Sequence, residues 1–170
     1  MNEVVLREAT AADAELLVAV IQSAFDEYRG RLDPPSGAHD ESVAGMRSWL
    51  AKAGACLAFA SERPAGCVLY EPAAGIVNLS RLSVLPDARR LGLGGALVQF
   101  VEQRARALNL PRVQLAVRLG LTNLTSWYEA RGYHVIEVGS HQGYTQPTYA
   151  VLEKEVGDED EPGAGVVLKN

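Results

Sequence analysis

Leu82-Ser83-Val84-Leu85-Pro86-Asp87-Ala88-Arg89-Arg90-Leu91-Gly92-Leu93-Gly94 is the stretch on which the organisation of this chain turns. An apolar run over residues 75–84 reads as a strand, Pro86 stops it, and a helical pattern opens inside a glycine cluster after a polar bend. The N–H groups in the first turn of a helix have no intrahelical partner. With the helix dipole they make an anion site. Glycines at 92, 94 and 95 let an anion approach the main chain, and Arg89 and Arg90 add charge at the rim. A tight strand-to-helix turn without a ligand has the same composition, so the turn taken alone supports either reading. It is not a Walker loop, because no Lys follows Gly94 or Gly95. Nor is it a dinucleotide fingerprint: Leu97 stands where the third glycine belongs, and Arg118 where an acidic residue belongs.

Working outward, residues 94–108 fit a helix that buries Leu97, Val98, Val101 and Ala105 and exposes Gln99, Glu102, Gln103 and Arg106. Pro111 separates it from a strand over 112–117, and a strand, helix and strand so close together predict a parallel crossover. A helix over 122–131, ended by Gly132, precedes strands over 133–138 and 148–156. Upstream, runs at 56–61, 66–70 and 75–84 are separated by Arg63-Pro64 and by Glu71-Pro72-Ala73-Ala74, spacing that predicts an antiparallel meander. The N-terminal part reads as a strand over 4–7, then a helix with Thr10 and Asp13 as a weak capping box. Its apolar stripe is Leu16, Leu17, Val20, Ile21, Ala24, Phe25 and Tyr28, and Gly30 ends it. Residues 31–39, with Pro34-Pro35, read as a loop, and a second short helix over 40–52 places Val43, Met46 and Leu50 on one side. The expectation is one domain over 1–156 and a disordered acidic tail over 157–170.

In this order the elements and the glycine turn resemble the GNAT acetyltransferase family. Its signature is a strand ending Leu-x-Val-x-Pro, then Arg or Gln, two residues, Gly, one residue, and Gly or Ala. Arg89, Gly92 and Gly94 occupy the three motif positions, and Asn123, Tyr128 and Gly132-Tyr133 resemble the family's Asn…Tyr…Gly-Phe/Tyr ending. The resemblance implies an α/β (α+β) fold, with a mixed, mostly antiparallel central sheet flanked by helices and splayed between its fourth and fifth strands. It implies acetyl-CoA as cosubstrate. The pantetheine arm would pair with the backbone of Leu82, Ser83 and Val84, and the diphosphate would sit on Arg89, Arg90, Leu91, Gly92, Leu93, Gly94 and Gly95. Asn123 would belong to the same site or act as a helix cap. A backbone N–H near Val84 would polarise the thioester carbonyl. Transfer would go directly to an amine, with Tyr128 as the acid that protonates the leaving thiolate.

The proton acceptor is not legible. The strand over 76–84 carries Asn78, Ser80, Arg81 and Ser83 but no carboxylate, so activation falls to water or to a group elsewhere, with Glu27, Tyr28 and His141 placed nearby. Arg29 and Arg31 are candidates to hold an acceptor carboxylate. Three functions follow: transfer to a primary amine of a small or amino-acid-like acceptor, protein lysine or N-terminal acetylation, and acyl-CoA binding without catalysis. The formal net charge of −5, with Asp158-Glu159-Asp160-Glu161 in one run, argues against a nucleic-acid-binding protein. No apolar run approaches a membrane span or a signal peptide, so the expected location is cytoplasmic. Three histidines and two cysteines in apolar runs, Cys56 and Cys67, give no metal cluster. A homodimer is compatible with such a fold.

Overall fold

The computed structural model describes residues 3–157 and, by their backbone, 166–169; of Thr122 likewise only the backbone is described. Among the described residues, eight strands form one sheet: β1 (Val4–Glu8), β2 (Gly54–Ala60), β3 (Arg63–Ala73), β4 (Ile76–Val84), β5 (Arg112–Arg118), β6 (His134–Gly139), β7 (Tyr149–Glu155) and β8 (Val166–Lys169). Four helices join them: α1 (Ala14–Phe25), α2 (Val43–Leu50), α3 (Leu93–Ala107) and α4 (Thr122–Glu129). The strand order is β6-β7-β5-β4-β3-β2-β1-β8. The meander β2-β3-β4 is antiparallel as the short connections require, and β4 and β5 are parallel across the α3 crossover.

Both faces of the sheet are covered. Leu17, Val20, Ile21 and Ala24 of α1 and Met46 of α2 pack on Ala55, Leu57, Cys67 and Leu69. On the other face Leu97, Val98, Val101 and Ala105 of α3 meet Cys56, Val68, Val77, Val113 and Leu115. Truncating a fully buried residue such as Leu97 to Ala would cost about 2–5 kcal/mol. Cys56 and Cys67 lie on these opposite faces of adjacent strands, so both remain free thiols, and burial pushes each up to about 12.

The gap that positions the site comes from a bulge. β4 pairs with β5 only at Ile76↔Arg112, Val77↔Val113 and Asn78↔Gln114. Beyond Asn78, the register with β3 shifts between Cys67 and Leu69, and Arg81 takes a left-handed φ of 51°. An extra residue bends the bulged strand. β4 and β5 therefore diverge, and among the described residues the backbone of β4 from Leu79 to Val84 has no strand on that side. This is the splay between fourth and fifth strands that the resemblance implies.

Several details differ from the sequence reading. Pro64 and Pro72 lie within β3, near its ends, where a missing ladder N–H is tolerated. Residues 37–40 form a 3-10 turn where a loop is expected, and α2 is shorter than residues 40–52, starting from a Ser42 cap. Glu102 is only 4% exposed: it accepts from Tyr133 Oη (3.0 Å) and Lys154 Nζ (3.1 Å), tertiary partners that turn a nominal surface position inward. Val166–Lys169 pairs in parallel with β1, where the tail is expected to be without structure; the rest of that tail, 158–165 and 170, lies outside the described residues. The free edge of β1 supplies the hydrogen-bond partners that make a strand there. Among the described residues no helix is long and apolar enough to cross a membrane.

Candidate active site

The glycine turn is built from three different constraints. Arg90 and Gly92 have φ of 69° and 77°, a left-handed pair that lifts the chain out of the 3-10 turn Pro86–Ala88 and caps α3. A Cβ at Gly92 would meet nothing, so glycine serves backbone conformation there. A Cβ at Gly94 would lie 3.3 Å from the Trp127 ring, so glycine serves close packing of α4 on α3. The first helical bond is Ala96 N–H to Gly92 O (3.1 Å), which leaves the N–H groups of Leu93, Gly94 and Gly95 without an intrahelical partner.

These groups face a cavity of about 840 Å³. It is lined by Leu82, Ser83, Val84, Arg89, Arg90, Gly92, Leu93, Gly94, Gly95 and Asn123 among the expected residues. Leu91 is not among them and is 40% exposed. Leu93 has a buried side chain and offers only its backbone, and Ser83 Oγ is turned to the Arg81 carbonyl oxygen (2.9 Å). Asn123 lies within the first turn of α4 instead of capping it.

Sequence reasoning missed several residues of this cavity, Trp127 and Arg131 among them. The Arg131 guanidinium sits 3.5 Å over the Trp127 ring centroid and donates to the Trp127 carbonyl oxygen (2.9 Å). Their i, i+4 spacing is the signal that could have found them. Arg89, by contrast, is occupied: it donates to Val84 O (3.3 Å) and pairs with Glu27. That pairing holds the Glu27 carboxyl below its ordinary range, which makes Glu27 a poor proton acceptor.

Tyr128 lines a second cavity, of about 690 Å³, which opens along the gap between β4 and β5 and shares Phe25, Tyr28, Leu82, Leu121 and Leu124 with the first. It is 3% exposed, and burial pushes its phenol up, opposed by the nearby Arg131 charge. Its hydroxyl has no hydrogen-bond partner among the described residues. Asn78, Ser80, Gln114 and Arg118 contribute to this cavity from the diverging strands, Leu32, Pro35, Ser36 and Gly37 from the segment after α1, and His141 from the β6–β7 connection. Arg118 donates to the Pro34 carbonyl oxygen, and Tyr144 to Asp33, so the loop after α1 is held to β5 and to the β6–β7 connection. Arg29 and Arg31 line neither cavity. Arg29 is at the surface on Asp26 (3.1 Å), and the arginines the fold brings to this cavity are Arg81, paired with Glu41 (2.7 Å), and Arg118.

A family model described as "Acetyltransferase (GNAT) family" matches residues 18–133, well over half of the chain. The chain belongs to the GNAT acetyltransferase family. Solved structures agree in fold. A PaiA N-acetyltransferase from Thermoplasma acidophilum, in complex with coenzyme A, gives a TM-score of 0.74 at 18% identity over 90% of this chain and 99% of that one. A GNAT-family acetyltransferase from Streptococcus pneumoniae gives 0.73 at 22% identity, over 91% and 100%. A ribosomal-protein-alanine N-acetyltransferase from Brucella melitensis gives 0.71 at 17% identity, over 88% and 98%. Comparison with curated proteins gives no significant match. As a GNAT acetyltransferase this chain is an acyltransferase, and the two joined cavities are its candidate donor and acceptor sites.

Proposed function

We propose that this protein transfers the acetyl group of acetyl-CoA directly to a primary amine of a small, amino-acid-like acceptor. The observation that carries the reading is the meeting of the two cavities at the β4–β5 gap. One is rimmed by helix N–H groups and by Arg90 and Arg131, chemistry suited to a diphosphate. The other holds a buried phenol beside two strand edges. The T. acidophilum protein of similar fold holds coenzyme A, which supports the same donor here.

In this reading the pantetheine arm lies along Leu82, Ser83 and Val84 as an added strand. The diphosphate lies on the turn from Arg89 to Gly95, and Asn123 borders it. A main-chain N–H near Val84 polarises the thioester carbonyl. Tyr128, kept protonated by burial, gives its proton to the departing thiolate. The amino-acid-like character rests on Arg118: it is half-buried in the acceptor cavity, with a carbonyl oxygen as partner and no carboxylate in ion-pair range among the described residues.

Acetyl-CoA should raise the melting temperature, since a ligand of the folded state adds to its stability. Gly92→Val and Gly94→Val should abolish that shift. No shift in folded protein free of copurified CoA would sink the donor assignment. Acceptor class is read by CoA release: an amino acid should turn over faster than its carboxamide, and the difference should vanish in Arg118→Gln. Turnover confined to peptides with a free N-terminus or to lysine side chains would point to protein acetylation instead, and binding without any turnover to a regulatory domain.

A further inference from the structure

We propose that His141 is the proton acceptor for the incoming amine. This rests on the acetyltransferase reading above and adds the group that the strand before the glycine turn does not provide.

Among the described residues, neither cavity is lined by Asp, Glu, Lys or Cys. The titratable side chains that line them are Tyr28, Tyr128, His141 and five arginines. Guanidinium groups stay charged, and a phenol is protonated near neutrality. Imidazole alone in this set can take up a proton at neutral pH. Its ring is also fixed. Nδ1 is hydrogen-bonded to Thr148 Oγ1, and the same oxygen accepts from the His141 backbone N–H (2.9 Å). Tyr149 and Tyr144 meet the ring edge-on, with centroids at 5.2 and 6.5 Å. Nδ1 is thereby committed, and Nε2 is the nitrogen left to face a substrate. The backbone donor takes one lone pair of Thr148 Oγ1, and the other is open to Nδ1–H, the tautomer in which Nε2 is basic. The charges around the ring are Arg118, whose strand partner is Tyr149, and Asp33, which accepts from Tyr144; Arg81 and the Tyr128 phenol line the rest of the cavity.

The step balances as follows. The ammonium gives a proton to Nε2, directly or through one water, and the freed lone pair forms the C–N bond as the C–S bond breaks. The thiolate takes the Tyr128 proton. The second nitrogen proton returns through water to the Tyr128 oxygen, and His141 releases its own to solvent.

The test compares the full-length protein with His141→Gln and His141→Asn, which keep a polar side chain but cannot serve as a base. With an acceptor whose amine titrates near ~10, kcat/KM at neutral pH should fall by about 10²-fold. The inflection on the acid side of the wild-type profile should disappear. With an acceptor whose amine is already neutral at the assay pH, the variants should come within a few-fold of wild type. Imidazole should restore part of the activity of His141→Ala. Acetyl-CoA affinity, measured by thermal shift on the same samples, should be unchanged, which separates this proposal from the donor assignment. Equal losses on both acceptors would mean a structural role, and an unchanged profile in folded His141→Gln would mean that water takes the proton; either result overturns the proposal.

Discussion

The Tyr128 ring is wedged edge-on between Trp127 and Tyr133, with centroids at 4.9 and 5.6 Å. An aromatic on a short helix is most simply a core residue, and its packing agrees with that. What the packing does not use is the hydroxyl, which has no protein partner among the described residues and stays open to the cavity. Tyr128→Phe should therefore lower kcat by about 10²-fold while leaving acetyl-CoA affinity and melting temperature close to wild type; comparison of turnover with thermal shift decides it. The glycines carry the same lesson. Gly92 and Gly94 read alike in the sequence, yet one serves a φ of 77° and the other a 3.3 Å approach of Trp127.

Among the elements, the junction of β1 with α1 offers a pH test. Asp13 accepts two hydrogen bonds from Arg7, each 2.9 Å, and one from the Thr10 backbone (2.7 Å), completing the box at the helix start. The bond from Arg7 is the main reason its carboxyl is held below the usual range. A depressed carboxyl stabilises the fold fully above the unfolded value near ~3.9, and the contribution is lost as pH falls through the folded one. Arg7→Gln should thus lower the melting temperature at pH 7, and the gap from wild type should shrink as the pH falls below about 4. Melting curves across that range check it. Element order and type were legible here because periodicity and capping are local. The boundary of β3 and the inward turn of Glu102 were not, since proline tolerance and a buried ion pair depend on neighbours far along the chain.

At the scale of the whole molecule, the sheet divides the labour. Both cavities lie around β4, β5 and α4, while β8 joins the far edge at β1. A chain stopped after Gly157 should keep acetyl-CoA binding and turnover, and should lose protection of backbone amides on the outer edge of β1. Hydrogen exchange with an activity assay tests both; lost turnover would place the tail within the catalytic unit. The first seven strands, the crossover and the glycine turn follow from the sequence alone, because alternation, helical stripes and glycine placement act within a few residues. Only the tertiary structure decided what surrounds the turn. The β4 bulge opens the gap, α4 and the turn after it bring Trp127 and Arg131 over Gly94 and Gly95, and the β6–β7 connection carries His141 to a cavity begun by Asn78 and Ser80. Such meetings join residues tens of positions apart, and a local pattern holds no record of them.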